Sequence, residues 1–436
     1  MNERDSEAIE ALLVQNGYEQ TDVEADADLV IVNTCTIRAK AEAKALGKLG
    51  ILCARKRKQP NFMVGAVGCV VQRLEHKILK IVPKLDFAIG TRSKAFLPEI
   101  IEVIKSGGGP VIDCANEIEF NEEAWGEHKE GQLMAYVNII LGCERRCAYC
   151  IVPSVRGVEW SRSPAKVLEE VERVVGLGVK EVTLLGQSVL QYGVRNKTWD
   201  DDYVSALGYM EPFPRLMETV DVVAGLERIR FISSHPARCT DEFARAMSEL
   251  PKVCEHIHLP LQSGSDEVLK RMRRGYNTQR YREAVASLRK YMPGFAITTD
   301  IIVGFPGETL EQFEESRTFM EEIGFDNAYI FKYSTRPGTP AAEWGDDVSE
   351  AEKIRRHQVL LEDQNIRGQK LNEQLIGTSV EVLVEGVSKR NKQKWSGRSR
   401  TNKIVVFDVA GDLEIGDLVK VKISSAKPQT IYGEIE

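Results

Sequence analysis

Apolar and polar residues along this chain fall into two alternating rhythms. "DSEAIEALLVQNGYE" carries its apolar residues at helical spacing. The run "ADLVIVNTC" that follows is too short for a helix and rich in β-branched residues, which predicts a buried strand. A helix over roughly 39–57 and a second strand, "NFMVGAVGC", come next, and this alternation predicts a parallel α/β unit. Cys35 and Cys69 stand where these two strands end. Strand carboxyl ends in a parallel sheet share one rim, so the two thiols can meet in space. "KSGGGPVIDC" and the polar "NEIEFNEEAWGEHKEGQ" read as a connecting loop or linker.

Six strand-then-helix repeats follow. Their strands are "AYVNIILGC", "EVTLLGQ", "RIRFISSHP", "CEHIHLPLQSG", "AITTDIIVGFPGE" and "NAYIFKYSTRPGT", with helical patterns such as "SPAKVLEEVERVVGLG" between them. Six such units predict an incomplete parallel (β/α)6 barrel with its working face at the strands' carboxyl ends. Gly186, Gln187, Ser233, Ser234, Gln262, Ser263 and Gly304 to Glu308 crowd those ends. A charged helix over roughly 349–376 leads to short β-type runs, "SVEVLVEGV", "KIVVFDVAG" and "DLVKVKI", which suit a small five-stranded barrel of the OB type. The expected organisation is α/β throughout the first two parts: an α/β domain over 1–115, the barrel over 129–366 and the small β-barrel over 367–436.

Composition narrows this picture little: 436 residues, 43% hydrophobic, describe an ordinary globular chain. The opening "MNERDSEAIE" is charged from its third residue, unlike a secretory leader, and no apolar run of about 18 residues predicts a membrane span. A cytoplasmic protein is expected. Nine cysteines in such a chain point to metal ligands and free thiols ahead of disulfides. Net charge is −7, yet "KRNKQKWSGRSRTNK" holds seven basic residues and no acidic one. Lys389, Arg390, Lys392, Lys394, Arg398, Arg400 and Lys403, with Trp395 among them, form a plausible surface for an RNA backbone and an unstacked base. A solvated lysine-rich hairpin with a packed tryptophan is the plainer reading.

The chemistry concentrates in "LGCERRCAYCIVPSVRG". Cys143, Cys147 and Cys150 lie within eight residues, with no fourth cysteine nearby. Structural zinc sites take four ligands, so three soft donors in one loop suit a metal centre with an open position. CxxxCxxC, with Tyr149 before its last cysteine, resembles the signature of the radical S-adenosylmethionine (SAM) enzymes. The resemblance implies a 4Fe-4S cluster on the three cysteines, whose open iron takes the amino and carboxylate groups of SAM. One electron then cleaves that cofactor to a 5′-deoxyadenosyl radical. It also implies that Tyr149, Gly186, Gln187, Ser233, Ser234, Gln262, Val303 and Gly304 bind SAM.

Over its whole length the chain is similar to the radical SAM methylthiotransferases. "NTC" with Arg38 nearby, "VGCVVQ", "CAYCIVPSVRG", "SSHP", "HLPLQSGSDEVLKRMRRGY", "DIIVGFPGET" and "STRPGTPAA" resemble that family's blocks. "MNERDSE", "SRSP" and "LLGQSVLQYG" are most similar to the tRNA 2-methylthio-N6-dimethylallyladenosine synthases. This implies a TRAM-type C-terminal barrel and methylthiolation of carbon 2 of the modified adenosine at position 37. It further implies two 4Fe-4S clusters, the second on Cys35 and Cys69. Partners would be the anticodon stem-loop of tRNA, a reducing electron donor and a sulfur source, with the enzyme a monomer. Two alternatives keep the chemistry and change the target, to threonylcarbamoyladenosine in tRNA or to an aspartate of a ribosomal protein. A third is a catalytically impaired RNA-binding form. The family's second cluster has a third cysteine in a Gly-Cys-Gln stretch just ahead of the Met-Asn that begins here, so the natural start is expected upstream of Met1.

Other candidates carry bland readings. Cys53 on a helix, Cys114 outside the sheet and Cys239 lack ligand spacing, and Cys254, His256 and His258 of "CEHIH" are expected in core packing or substrate contact. "VGFPGE" lacks a P-loop's lysine and spacing. Arg156 is balanced between contacting the cluster or substrate and an ordinary salt bridge.

Overall fold

A computed structural model describes residues 1–36, 39–115, 128–196, 198–199, 204–408 and 413–436. Arg38 and most of the polar linker lie outside the described residues. The chain packs as two compact units. One comprises Met1–Glu130, Leu141–Trp160 and Arg336–Thr339; the other comprises Gly131–Ile140, Ser161–Thr335 and Pro340–Glu436.

The first unit is built on a parallel sheet whose order follows the chain: β1 (Leu29–Thr34), β2 (Met63–Gly68), β3 (Phe87–Ile89) and β4 (Val111–Asp113). Period-two alternation sends β2 side chains to two faces. Val64 and Ala66 pack with Leu49, Leu52 and Cys53 of α2 (Ala39–Arg55). Val67 packs with Ile9 of α1 (Asn2–Gln15) and with Leu97, Ile100 and Ile101 of α4 (Leu97–Lys105). Helices on both faces explain why the strands read as continuous apolar runs. Between β2 and β3 lies the short helix α3 (Cys69–Leu74), and the three-cysteine loop ends in another, α5 (Val152–Arg156). One expectation needs correcting: "KSGGGPVIDC" contains an edge strand, so Cys114 directly follows β4 and does not lie outside the sheet.

In the second unit six parallel strands follow in chain order: β5 (Met134–Asn138), β6 (Glu181–Leu185), β7 (Arg228–Phe231), β8 (His256–His258), β9 (Ala296–Val303) and β10 (Asn327–Lys332). They form two three-stranded sheets, joined by a parallel bridge between Ile229 and Val253. This is the expected incomplete barrel. Helices between strands start on local signals. α6 (Pro164–Gly176) has proline at its first turn and Ser163 accepting a hydrogen bond from the Lys166 backbone N–H, and it buries Val167, Val171 and Val174. α7 (Leu310–Ile323) opens with a capping box between Thr309 and Gln312. The long α8 (Glu350–Glu373) precedes the small barrel.

That barrel is closed, in the order β11 (Ser379–Val387), β12 (Lys394–Ser399), β13 (Ile404–Asp408), β15 (Thr430–Ile435) and β14 (Leu418–Lys427). Val382, Val384, Val405, Phe407, Val421, Ile423 and Ile431 fill it. Its β12–β13 hairpin docks on the amino ends of the large barrel's strands. Arg228 donates to the Arg398 carbonyl at 2.7 Å, and Arg230 donates to the carbonyls of Ser399 (2.8 Å) and Arg400 (3.0 Å) and to Glu181 (2.8 Å). Arg400 in turn grips Glu255 and the Pro251 and Val253 carbonyls. In parallel barrels the amino end is the stability face, which leaves the opposite end for chemistry.

Candidate functional site

At the carboxyl ends of β1 and β2 the register pairs Thr34 with Gly68, so Cys35 and Cys69 leave the sheet side by side. The Thr34 hydroxyl donates to the Val67 carbonyl at 2.7 Å and accepts from the Val70 N–H at 3.2 Å, locking the two strand ends. Gly68 adopts φ +104°, and a Cβ there would stand 2.7 Å from the Thr34 carbonyl oxygen. Only glycine permits this approach. Cys69 is buried, and burial pushes its thiol up, opposed by the nearby Arg156 guanidinium. Cys35 is close enough to add to that upward shift. Arg156 is 9% exposed, and its Nη2 donates to the Asp5 carboxylate at 2.9 Å. Asp5 also pairs with Lys94. Burial alone would raise the Asp5 carboxyl, but Lys94 and Arg156 outweigh it and hold the group well below the carboxylate range.

Cys143, Cys147 and Cys150 lie in the same unit, on an irregular stretch whose regular feature is a turn closed by the Cys150 N–H on the Cys147 carbonyl at 3.1 Å. Cys147 is buried, Cys143 and Cys150 are half-buried, and Tyr149 beside them is half-buried too. Burial pushes the Cys143 thiol up. All nine cysteines are free thiols. Among the described residues no three His, Cys, Asp or Glu side chains already converge as a metal site. The loop's donor set nevertheless fits an iron–sulfur cluster: three soft thiols within eight residues of a largely irregular stretch.

The second unit carries the strand ends expected to line a SAM cavity. Gly186 and Gln187 follow β6, and a Cβ on Gly186 would meet Ile140 at 2.1 Å. Ser233 and Ser234 follow β7. Gln262 follows β8 and bridges to Ile301, while Val303 ends β9. Three of these positions share an unusual backbone: Ser233 (φ 68°), Gln262 (φ 73°) and Gly304 (φ 68°) are left-handed, and two of them are not glycine. Such conformations in non-glycine residues cost about 1 kcal/mol or more and gather at binding sites. Asn138, Ser188 and Ser234, all at this end and at most 2% exposed, bury side-chain polar atoms with no hydrogen-bond partner among the described residues. Each such orphan costs about 1–3 kcal/mol when unmet, so these atoms have hydrogen bonds to give a polar ligand at this rim. Glu308 braces it, accepting from the Gly304 N–H and from Arg356, both at 2.6 Å.

Other expectations meet the structure as follows. His256 is buried on Thr298 (3.1 Å) and driven toward neutrality, chiefly by burial. His258 pairs with Asp300 at 3.2 Å, a partner that sequence reasoning missed because it lies 42 positions away. Cys53, Cys239 and Cys254 are buried, and burial raises Cys239 to about 12. Burial also pushes Cys114 up to about 11, which keeps it a thiol. The basic stretch divides. Lys389, Arg390 and Lys392 are exposed, and Lys394 pairs with Asp408. Arg398 pairs with Glu385 at 3.1 Å, and Trp395 packs against the barrel core. Arg400 and Lys403, expected on the RNA surface, are instead held within the chain: Arg400 by Glu255, Lys403 by Asp326 and Asn372.

Comparison with known proteins places these parts. Residues 137–320 match the Radical SAM superfamily, 1–90 match Uncharacterized protein family UPF0004, and 373–435 match the TRAM domain. A protein of Clostridium novyi named tRNA-2-methylthio-N(6)-dimethylallyladenosine synthase is 42% identical over 440 residues, covering 100% of this chain and 94% of its own length. One of the same name from Opitutus terrae is 40% identical over 465 residues, covering 100% and 95%. The chain belongs to the tRNA-2-methylthio-N(6)-dimethylallyladenosine synthase family. Among solved structures, the radical S-adenosylmethionine methyltransferase TsrM from Kitasatospora setae superposes with a TM-score of 0.58 at 14% identity, over 77% of this chain and 73% of that one, and so shares the fold. As a radical SAM methylthiotransferase, this synthase-family chain is an enzyme that uses SAM and a 4Fe-4S cluster. Among its described residues no helix is long and apolar enough to cross a membrane.

Proposed function

We propose that this chain methylthiolates carbon 2 of N6-dimethylallyladenosine at position 37, beside the anticodon of tRNA. The observation that carries the reading is the full-length match to relatives of that name, on a chain that keeps CxxxCxxC. Cys143, Cys147 and Cys150 would hold one 4Fe-4S cluster, and Cys35 and Cys69 would contribute to a second. Bound there, the clusters and SAM supply the adenosyl radical, the sulfur and the methyl group. The protein's part is positional. Gly186 and Gln187 offer a close backbone approach. Ser233, Ser234, Gln262, Val303 and Gly304 would line the SAM site, with Asn138 and Ser188 adding hydrogen-bonding capacity that sequence reasoning did not assign. A low-potential electron donor and a sulfur source complete the reaction, and the enzyme acts as a cytoplasmic monomer.

The test is mass spectrometry of nucleosides from bulk tRNA in a strain lacking its own methylthiotransferase and expressing this chain. The expected result is the 2-methylthio form of N6-dimethylallyladenosine; unmodified dimethylallyladenosine in the presence of iron-loaded protein rejects the reading. The exposed tip of the small barrel provides a second check. Replacing Lys389, Arg390 and Lys392 with Ala should weaken tRNA binding across sequences, and should flatten the slope of log affinity against log salt by up to ~2–3 if each neutralises a phosphate. Filter binding across a salt series measures it. An unchanged slope places the RNA elsewhere.

A further inference from the structure

The inner face of the large barrel is chemically unlike its outer face. Successive side chains of a strand point to opposite sides of the sheet. Ile257 of β8, Ile297 and Ile301 of β9 and Ile330 of β10 join one apolar cluster with Phe313 and Phe319 of α7, so the residues alternating with them face the lumen. Parallel barrels usually fill that space with branched aliphatic side chains. Here the lumen positions include His256 and His258, Thr298 and Asp300, and Tyr329. The pair nearer the amino end closes on itself: the buried His256 and Thr298 side chains meet at 3.1 Å. The next pair stays open. His258 Nε2 lies 3.2 Å from Asp300 Oδ1, and since an ionised carboxylate only accepts, the ring N–H donates. Among the described residues no donor other than His258 is bonded to this carboxylate. Tyr329 is the register partner of Asp300 and shares its face, and its ring meets that of His258 edge-on at 6.0 Å. Tyr329 is nevertheless 50% exposed. Asp300 stands three residues before the end of β9, roughly 10 Å below the rim at ~3.3 Å per residue.

We propose that this lumen receives the target base and that Asp300 reads its N6–H, with His258 holding the carboxylate in place and Tyr329 packing on the base. This rests on the reading that the substrate is N6-dimethylallyladenosine. Enzymes that act on a base take it out of the stack into a pocket, reading its edge by hydrogen bonds and packing it between aromatic or apolar side chains. An N6-alkylated adenine has one N–H donor, at N6, while N1, N3 and N7 only accept. A fixed carboxylate with a free oxygen is therefore matched to that one group on the base. Asp300 is the substrate-binding residue of this set, and His258 is a positioning residue that acts through it.

The experiment uses the iron-loaded full chain and two anticodon stem-loop RNAs. One carries N6-dimethylallyladenosine at position 37; the other carries its isostere with oxygen in place of the N6–H. Fluorescence anisotropy gives both affinities. The RNAs share every phosphate, so the ratio of affinities reports the base contact. The unaltered protein should bind the N–H form about tenfold more tightly, the scale of one hydrogen bond to a charged group. In Asp300→Asn the amide oxygen takes the His258 donor and leaves the NH2 to the base, so the preference should vanish or reverse. Asp300→Leu, with no polar atom, should bind both RNAs alike. His258→Ala should keep only part of the preference, and His258→Gln, which restores an N–H beside Asp300, should regain it. Should one Asp300 variant fail to fold, as judged by circular dichroism, the other decides. A folded Asp300 variant that keeps the tenfold preference would overturn the inference. So would an unaltered protein that methylthiolates the N–H form yet binds both RNAs alike, which leaves the proposed function standing. An unaltered protein that neither binds nor methylthiolates the N–H form would reject the proposed function, and the inference with it.

Discussion

Replacing Cys147 with Ala is expected to abolish methylthiolation and to lower bound iron by about four atoms per chain, the content of one cubane. The loop offers three thiols, and Cys147 is the buried one of the three. Three protein ligands already leave a cubane one iron short of full ligation. Removing another leaves two thiols to hold it. The control is Cys239→Ala, a thiol still more deeply buried but packed in the large barrel's core. Its loss should cost about 1 kcal/mol through a small cavity and leave iron untouched. Iron and labile sulfide analysis beside nucleoside mass spectrometry separates the two. Full iron content in Cys147→Ala would remove this loop from the cluster assignment.

The second large effect is expected from Arg230→Ala. Arg230 is 7% exposed and Glu181, its partner, 2%. Truncation leaves the Glu181 carboxylate buried without its ion pair and the Ser399 and Arg400 carbonyls without this donor. Breaking a buried pair from one side costs about 3–5 kcal/mol. Thermal denaturation should show the loss. tRNA affinity should fall with it, because the small barrel loses part of its hold on the platform, with Arg228 and Arg400 left to grip it. Cleavage of SAM in the absence of tRNA should persist, since the dock lies at the strands' amino ends and the reactive rim at the carboxyl ends. Equal loss of both activities would mean that the arginine supports the whole barrel and not the dock.

What could be read from sequence alone followed from length and period. The barrel strands were legible because most of them alternate with helices long enough to show a helical repeat. The strands Phe87–Ile89 and Val111–Asp113 were not, because three residues are too few to display any period and the second sits behind three consecutive glycines. The thiol loop was legible because its three cysteines are local. The ion pair beside Cys69 was not: Arg156 and Asp5 are 151 positions apart. Partners of two residues in the basic stretch were hidden for a related reason. Arg400 finds Glu255, which lies 145 positions away, and no local pattern distinguishes a lysine or arginine bound for the interior from one bound for RNA. Ser233 and Gln262 carry no mark of their left-handed backbone, since such residues most often sit elsewhere.

The dock between the two barrels also bears on how such enzymes diversify. Arg228 and Arg230 grip main-chain carbonyls of the hairpin, and every residue type presents the same carbonyl. Side chains along the hairpin's outer face can therefore drift, or be redesigned, without loosening the joint, provided the hairpin keeps its length and register. Exchange of this small barrel for another of the same backbone that keeps Glu381, Arg400 and Lys403 should yield chimeras that assemble normally while reading a different RNA.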